Sequence, residues 1–446
     1  MSQSATLAAL LAALLAAGPA FAQARPATAL SGDARRIAGP LSVRQAVEIA
    51  LRENPAMLAA RADAAEAAAG TRSARAMTLP QVSANGYLTS GDMSSMVDSA
   101  PDVTPPSARM VPPGGVAIAN LTLMAPLYTG GRLRGMVRAA EARERAATAG
   151  IGSEAATAAL EVKRAYYGAL LAAAMADVAG ARVTADQEAV ANARALLEVG
   201  RGIEASVRRA EAELSDAERM LATARNERAA ALLNLSAALG ASPDSEITLS
   251  DSLAFEPPAS GLETQIADAA RLRPELSAAR DRVQAATADL DAARGSLAPQ
   301  VYALGMADAD TRSRGSSERG YTLGLALSLP LFDAGQRRAE VDGARAREGR
   351  ARAELRAAEL RVGTEVRQAW LDVQTGAENY RTAQAAVRAA QEAYDVTALR
   401  VRNQKAIQVE LLDAIAALTQ ARTNVAQALY DHALAVARLQ RAVGRT

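Results

Sequence analysis

The chain has 446 residues; half are hydrophobic but only 3% are aromatic, and 50 basic side chains nearly balance 49 acidic ones. A net charge of +1 gives no reason to expect a nucleic-acid partner. With no cysteine and a single histidine, His432, the composition excludes disulfides, thiolate zinc sites and iron–sulfur clusters, so no metal or cofactor site is predicted.

Residues 1–22 have the pattern of a secretory signal peptide. Leu7 to Ala17 contains only leucine and alanine, and Ala20-Phe21-Ala22 supplies a small-x-small cleavage pattern. The alternative is an N-terminal membrane anchor, for which this apolar run is too short. An exported chain without a spanning helix ends up soluble, bound to a surface, or in the outer membrane as a barrel.

The rest of the chain is internally duplicated. Leu79–Val82 (LPQV) recurs as Ala298–Val301 (APQV), 219 positions later. Ala125–Tyr128 (APLY) recurs as Leu329–Phe332 (LPLF), 204 positions later, and this second offset continues without a gap for over a hundred residues. Such a long register indicates duplication rather than chance. The predicted division is a first repeat over 23–240, a linker in an equatorial region over 241–261, and a second repeat over 262–446.

Each repeat is predicted to contain a short helix, a helix after a proline, two strands, a very long helix and a return helix. Proline is absent between Pro126 and Pro243 and again after Pro330, so nothing must break a helix there. In the first repeat the strands are predicted at 81–90 and 116–124, the long helix at 132–199 and the return helix at 206–239. In the second repeat the strands are predicted at 300–309 and 321–329, the long helix at 336–402 and the return helix at 410–443.

The last predicted strand alternates between large apolar and small or polar residues. Tyr321, Leu323, Leu325, Leu327 and Leu329 share one face, with Thr322, Gly324, Ala326 and Ser328 on the other. This period of two fits a barrel strand with lipid outside and a lumen inside. A half-buried strand of a soluble sheet alternates in the same way, so that alternative stays open.

Four strands are too few to close a membrane barrel, since known barrels begin at about eight. An open edge in lipid would leave backbone groups unsatisfied, so other chains must complete the barrel. Two chains would give a packed interior, whereas three give twelve strands and room for a passage. The long helix of each repeat spans about 100 Å, and its two shorter helices placed end to end nearly match it. The lengths therefore favour a hollow cylinder of helices.

Several motifs together resemble the TolC family of outer-membrane efflux proteins. They are the Asn54-Pro55 and Arg273–Leu276 (RPEL) helix openings, the LPQV strand entries, the strand-to-helix corner Pro330–Gln336 (PLFDAGQ), and the hairpin segments Val199–Ile203 and Ile407–Ala414. The resemblance covers nearly all of the chain after residue 22. It implies an α+β membrane protein that forms a trimer, with a 12-stranded β-barrel in the outer membrane continued by a 12-helix α-barrel in the periplasm.

The implied function is a passive exit duct of a tripartite export system, which works with a periplasmic adaptor and an inner-membrane transporter. The cargo class is drugs, small molecules, metals or secreted proteins, and the sequence does not choose among them. A soluble periplasmic coiled-coil scaffold is the alternative. An enzyme is not expected, because the sequence has no phosphate-binding glycine loop, no HExxH motif and no cysteine nucleophile.

The resemblance also implies two sets of functional residues. Glu410 and Asp413 match acidic positions that ring the periplasmic entrance, and their spacing of three places both on one helix face. Their alternative role is to stabilise the positive N-terminal end of the helix. The implied adaptor-docking tips are Val199, Gly200, Arg201, Gly202, Asn403, Gln404 and Lys405. Simple turn chemistry accounts equally well for the glycines.

The residues that hold the family's entrance closed are not matched here. Ala406 and Val401 stand where a basic and an aromatic residue are expected, and Ser206 stands where an acidic partner can occur. Three nearby basic residues are candidate substitutes: Arg400, Arg402 and Lys405. How this chain closes its entrance is therefore left open by the sequence.

Overall fold

The computed structural model describes residues 36–89, 116–257, 261–312 and 317–445. The signal peptide predicted over residues 1–22 lies outside the described residues. Within these ranges the chain forms two β-sheets and eight helices, of which two are 67 residues long.

The first repeat contains β1 (Ala38–Leu41), α1 (Val43–Glu53), α2 (Pro55–Ala76), β2 (Gln81–Thr89), β3 (Val116–Tyr128), α3 (Arg132–Glu198) and α4 (Glu204–Leu239). The second contains β4 (Glu246–Leu249), α5 (Leu262–Leu272), α6 (Pro274–Gly295), β5 (Gln300–Arg312), β6 (Ser317–Ser328), α7 (Gln336–Arg402) and α8 (Gln408–Val443). Strands β3, β5 and β6 are longer than the sequence predicts, because backbone pairing continues where the apolar alternation has already stopped.

Local capping sets the ends of the helices near the linker. Ser42 and Gln45 form the capping box that opens α1. Asn54 has an extended backbone before Pro55, and this conformation separates α1 from α2. The Asn54 side chain accepts a hydrogen bond from the Ala56 N–H at 2.8 Å. The two long helices both begin after a left-handed glycine, Gly131 or Gly335.

The middle of α3 is apolar enough over 18 residues to pass for a membrane span by length and composition, with a mean hydropathy of 1.3. Only 22% of that window is buried within the single chain. Ala139, Ala142 and Ala169 on α3 are almost fully buried in the chain. Small side chains of this kind let long helices pack closely side by side.

The duplication is visible in the element bounds. Helices α1 and α2 map onto α5 and α6 by adding 219, and α3 and α4 map onto α7 and α8 by adding 204. The two β-hairpins also share one register: Gln81 lies opposite Met124, and Gln300 lies opposite Ser328. The two repeats are therefore equivalent in register as well as in order.

The helices form a single curved layer below the four-stranded sheet. Near the sheet, α3 lies between α2 and α6, and α7 follows α6. Towards the other end, α3 lies between α4 and α8, and α7 follows α8. The sheet has the order β2-β3-β5-β6, so β2 and β6 are its two edges. The layer thus exposes α2 and α4 on one lateral side and α7 on the other.

The segment predicted as a linker over 241–261 contains a strand that the sequence did not predict. β4 pairs in parallel with β1 across the middle of the helical layer. Behind this sheet, Tyr166 is fully buried, and its hydroxyl donates to the Leu41 carbonyl at 2.7 Å. Each strand has only four residues, which is too short to show a period of two.

The same segment also contacts the second repeat. Phe255 stacks between Tyr380 and His432, with ring centroids 4.8 and 4.7 Å away. His432 is fully buried, and its Nε2 lies 2.6 Å from the Glu256 carbonyl. The single histidine therefore holds the linker against α8.

Candidate functional site

The first hairpin tip joins α3 to α4 through a glycine turn. Gly200 has a φ of +69°, and the N–H groups of Arg201 and Gly202 both donate to the Leu196 carbonyl, at 2.9 and 2.8 Å. A Cβ on Gly202 would lie 2.8 Å from the Leu197 nitrogen. Turn geometry therefore favours both glycines, whatever else binds there.

The second tip, between α7 and α8, makes the same turn without glycine. Gln404 has a φ of +59°, and the Lys405 N–H donates to the Arg400 carbonyl at 2.7 Å. A left-handed conformation costs a non-glycine residue roughly 1–2 kcal/mol. Arg201 donates to the Gln404 side chain at 3.3 Å, so the two predicted tips contact each other. Val199, the apolar residue just before the first tip, is 65% exposed.

Glu410 and Asp413 both lie exposed near the start of α8. Glu410 accepts the Ile407 N–H at 3.5 Å and lies 3.6 Å from the Arg400 guanidinium. It therefore caps the first turn of α8, and its charge is partly offset by Arg400. Asp413 forms no ion pair or side-chain hydrogen bond with any residue that the structure describes. Asp413 is thus the more available of the two carboxylates.

A small apolar cluster fixes the base of the second hairpin. Val401, Leu411, Leu412 and Ile415 pack with Ala189 of α3. The buried Gln408 side chain donates to the Ala189 carbonyl at 2.9 Å, which ties the first turn of α8 to α3. Val401, which stands where the resemblance implies an aromatic closing residue, is 2% exposed and belongs to this cluster.

Two of the three candidate basic substitutes are engaged within the subunit. Arg400 pairs with Glu410, and Arg402 lies 3.9 Å from Glu188 of α3. Lys405 is exposed at the tip. None of these ion pairs was predicted from the sequence, because each joins helices whose mutual orientation is set by the whole layer.

A second charged cluster, also missed from the sequence, lies about four helical turns from the first tip. Arg182 of α3 is mostly buried and contacts Asp186 at 3.4 Å, Glu213 at 3.2 Å and Asp216 at 3.5 Å. Asp186 is 2% exposed, and this burial raises the pKa of its carboxyl, opposed by the Arg182 charge.

Asp186→Asn is expected to change how stability depends on pH. The raised pKa means that folded Asp186 binds a proton more tightly than unfolded Asp186, so wild-type stability falls as the pH rises above the ordinary carboxyl range. The amide removes this dependence. The difference between the thermal midpoints, variant minus wild type, should therefore become more favourable to the variant as the pH rises from mildly acidic to neutral. Glu213→Gln removes a neighbouring negative charge that also raises the pKa of Asp186, so it should weaken the dependence without abolishing it.

The match to a known protein family covers both repeats of the chain. Residues 46–241 and 266–445 match the family described as outer membrane efflux protein. The chain belongs to this family. The resemblance predicted from the motifs is thereby confirmed, and family membership goes against a soluble periplasmic scaffold. The protein lies in the outer membrane.

Two curated relatives are similar to parts of the chain. The fusaric acid resistance protein FusA of Burkholderia cepacia is 30% identical over 194 residues, which cover 42% of this chain and 37% of FusA. Protein CyaE of Bordetella pertussis is 30% identical over 264 residues, which cover 57% of this chain and 55% of CyaE. The chain thus matches about half or less of the length of each relative.

The fold itself is shared over most of the chain with a solved structure. The outer membrane protein VceC from Vibrio cholerae superimposes with a TM-score of 0.75, covering 90% of this chain and 96% of VceC. The two sequences are 19% identical, so the likeness concerns the fold.

Proposed function

We propose that three copies of this chain form one channel, the exit duct of a tripartite export system. One observation carries the proposal: a narrow sheet with two free edges presents a strongly apolar outer face. Along β6, Tyr321, Leu323, Leu325 and Leu327 are 83, 76, 73 and 70% exposed. Lipid accounts for this face, and neighbouring chains account for the edges β2 and β6. Three sheets complete a 12-stranded barrel.

The helical layer supports the same stoichiometry. Each chain supplies four helical columns. Two are the long helices α3 and α7, and the other two are pairs of shorter helices stacked end to end, α2 with α4 and α6 with α8. Three chains therefore supply a 12-helix tube. The 67-residue helices give this tube a length of about 100 Å below the barrel. The duct is passive: it performs no catalytic chemistry and leaves energy coupling to an inner-membrane transporter.

The hairpin tips are the proposed contact with a periplasmic adaptor. Val199, Ile203 and Ile407 are apolar and between 65 and 67% exposed at this end of the molecule. Exposed apolar residues at a tip, next to Arg201 and Lys405, suit a protein partner. For the cargo, the name of the relative FusA favours a small organic compound within the range expected from the family.

The proposed selectivity element is the acidic entrance. Threefold symmetry would gather Glu410 and Asp413 from every chain at one constriction, where carboxylates attract cations. Because Arg400 already offsets Glu410, most of the uncompensated negative charge comes from Asp413.

Asp413→Asn is therefore expected to remove roughly half of the wild-type preference for cations. Glu410→Gln should have a smaller effect. The measurement is the reversal potential of single channels in planar bilayers under a salt gradient. Asp244→Asn, an exposed carboxylate of the equatorial segment paired with Arg36, is the matched control and should leave selectivity unchanged. Equal effects of all three variants would contradict a selective ring.

Cell fractionation tests the channel proposal as a whole. The protein should be extracted by detergent from outer membranes as a heat-modifiable oligomer and should conduct ions in bilayers. Recovery in the osmotic-shock fraction, with no conductance, would support the soluble scaffold instead.

A further inference from the structure

A groove lies between α2 and α3, where the strands of the first repeat end and its long helix begins. Its lower part has a volume of about 760 Å³, within the range of pockets that hold small ligands, and three arginines line it: Arg75, Arg134 and Arg138. Its upper part is lined by Leu127 and Tyr128 at the end of β3, and Arg134 lines both parts. This junction groove therefore joins an apolar part to a basic part.

The apolar part of the junction groove belongs to the outer face of the sheet. Tyr128 lies opposite Val301, and Val301 lies opposite Leu327 of the exposed apolar face of β6. Residues directly opposite each other in an antiparallel pair share one face of the sheet. Leu127 and Tyr128 are 59 and 55% exposed, so they extend the apolar outer face down to the start of α3.

The basic part opens on the same side. Arg132 points the other way: it donates to the Tyr302 hydroxyl at 3.3 Å, and Tyr302 lies opposite Ala326 on the inner face of the sheet. Arg134, two residues further along α3, is rotated by about 200° from Arg132 and lines the groove with Tyr128. Both walls of the groove belong to one chain, so the groove is complete without a neighbouring subunit.

The junction groove carries one positive charge that the subunit does not compensate. Arg75 pairs with Glu141 at 2.7 Å, and Arg138 pairs with Asp291 at 3.1 Å. Arg134 is exposed and forms no ion pair or side-chain hydrogen bond within the part of the chain that the structure describes. An unpaired guanidinium directly below exposed apolar side chains suits an amphipathic anion.

We propose that the junction groove binds one anionic glycerophospholipid of the inner leaflet of the outer membrane. The acyl chains lie against Leu127 and Tyr128, and the phosphodiester lies against Arg134, with Arg75 and Arg138 beside it. This inference rests on the outer-membrane channel proposed above and adds a lipid site on its outer surface.

The depth of Arg134 matches the position of a lipid phosphate. Arg134 is the third residue of α3, so it lies only about 3 Å beyond the start of the helix. The polar head-group region extends about 5–8 Å beyond the hydrocarbon core on each side of a bilayer. The hairpin tips proposed to contact an adaptor lie at the other end of α3, about 100 Å away. A lipid, rather than the adaptor, is therefore the partner within reach of the groove.

The second repeat provides a contrast at the equivalent place. Arg338 corresponds to Arg134, but Asp333 lies at the start of α7 and accepts two backbone N–H groups there, at 3.0 and 3.3 Å. In the first repeat the neutral Thr129 takes that position, and its hydroxyl accepts the Leu133 N–H at 3.4 Å. The second repeat thus supplies its own carboxylate next to the arginine, whereas the first repeat supplies none. The anionic lipid is therefore assigned to the first repeat.

The charges around Arg134 also select the kind of head group. A guanidinium can donate two parallel hydrogen bonds to a phosphate. Glu141 and Asp291, the carboxylates closest to the three arginines, are already engaged by Arg75 and Arg138. The ammonium of phosphatidylethanolamine therefore finds no free carboxylate, while phosphatidylglycerol, with a net charge of −1, matches the one uncompensated arginine. The groove should prefer phosphatidylglycerol.

Native mass spectrometry of the full-length, detergent-released oligomer tests this preference. Phosphatidylglycerol and phosphatidylethanolamine with the same acyl chains are titrated separately. The wild type should bind phosphatidylglycerol more tightly, up to one molecule per chain. Arg134→Ala should weaken this binding by roughly fivefold, the effect of one lost cation near an anionic lipid, and Arg134→Lys should recover part of it. Arg338→Ala, the equivalent change beside Asp333, is the control and should bind phosphatidylglycerol as the wild type does.

The remaining outcomes separate the lipid site from the channel proposal. A trimer that binds both lipids equally, or loses phosphatidylglycerol equally in the Arg134 and Arg338 variants, would overturn the lipid site and leave the channel intact. Displacement of phosphatidylglycerol by millimolar inorganic phosphate would also overturn it, because the groove would then bind any phosphate without acyl chains. A monomer recovered from the soluble fraction, with no lipid bound, would remove both proposals.

A cysteine placed in the groove tests its depth in the membrane. The chain has no cysteine of its own, so Val137→Cys, which lies in the junction groove, carries a single fluorescent label. In vesicles of phosphatidylglycerol, a quencher attached at the lipid head group should reduce its emission strongly. Ala140→Cys is the control, because Ala140 lies with Met136 on the side of α3 to which Arg132 points. Equal quenching of the two labels would contradict a lipid at the groove.

Discussion

Leu323→Arg is expected to remove most of the assembled protein from the outer membrane. The leucine is 76% exposed on the outer face of β6, where the proposed barrel meets lipid. An arginine near the middle of a bilayer costs about 2–4 kcal/mol per chain, and the ring would carry this cost in every subunit. The measurement is the amount of heat-modifiable oligomer in isolated outer membranes.

The adjacent residue supplies the control for that prediction. Thr322 lies on the opposite face of the same strand, towards the proposed lumen, where charge is tolerated. Thr322→Arg should therefore assemble close to the wild-type level. Equal losses for both variants would mean that the two faces of β6 do not differ in environment, contrary to the barrel.

Arg273→Ala is expected to lower the free energy of unfolding by about 2 kcal/mol, because it removes a buried guanidinium and leaves two partly exposed carboxylates without their main partner. Arg273 is 3% exposed and pairs with both Glu365 and Glu275, between α5, α6 and α7. Arg441 contacts the same two carboxylates at 3.7 and 3.8 Å and limits the loss. Thermal unfolding in detergent, followed by circular dichroism, measures the effect.

A nearby arginine separates burial from charge in this experiment. Arg271 is 75% exposed and pairs with Asp268 at 2.6 Å, a shorter contact than the 3.4 Å between Arg273 and Glu275. Exposed pairs contribute only about 0–1 kcal/mol. Arg271→Ala should therefore leave the thermal midpoint nearly unchanged. A large loss in this variant would show that the region responds to any lost positive charge.

The long elements were predictable because their signals are local. The absence of proline over more than a hundred residues and the dominance of alanine indicate long helices, and the alternation from Tyr321 to Leu329 indicates a strand. The return helices begin two residues earlier than predicted, at Glu204 and Gln408. Neither start has a side-chain cap from Ser, Thr, Asp or Asn, so the sequence carries no strong signal there.

The equatorial sheet and the contacts at the tips were not predictable in the same way. β1 and β4 are four residues each and lie 208 positions apart along the chain, so neither pattern nor proximity indicates their pairing. The bond from Gln408 to Ala189 likewise joins residues separated by 219 positions. Motif spacing identified the position of Glu410, but its pairing with Arg400 depends on how the second tip folds.

The number of chains in the particle extracted from outer membranes tests the central claim most directly. Native mass spectrometry of the detergent-released protein should give the mass of three chains, since two free sheet edges per subunit are satisfied only in a closed ring. A single chain that stays folded and monodisperse in buffer without detergent would contradict that closure.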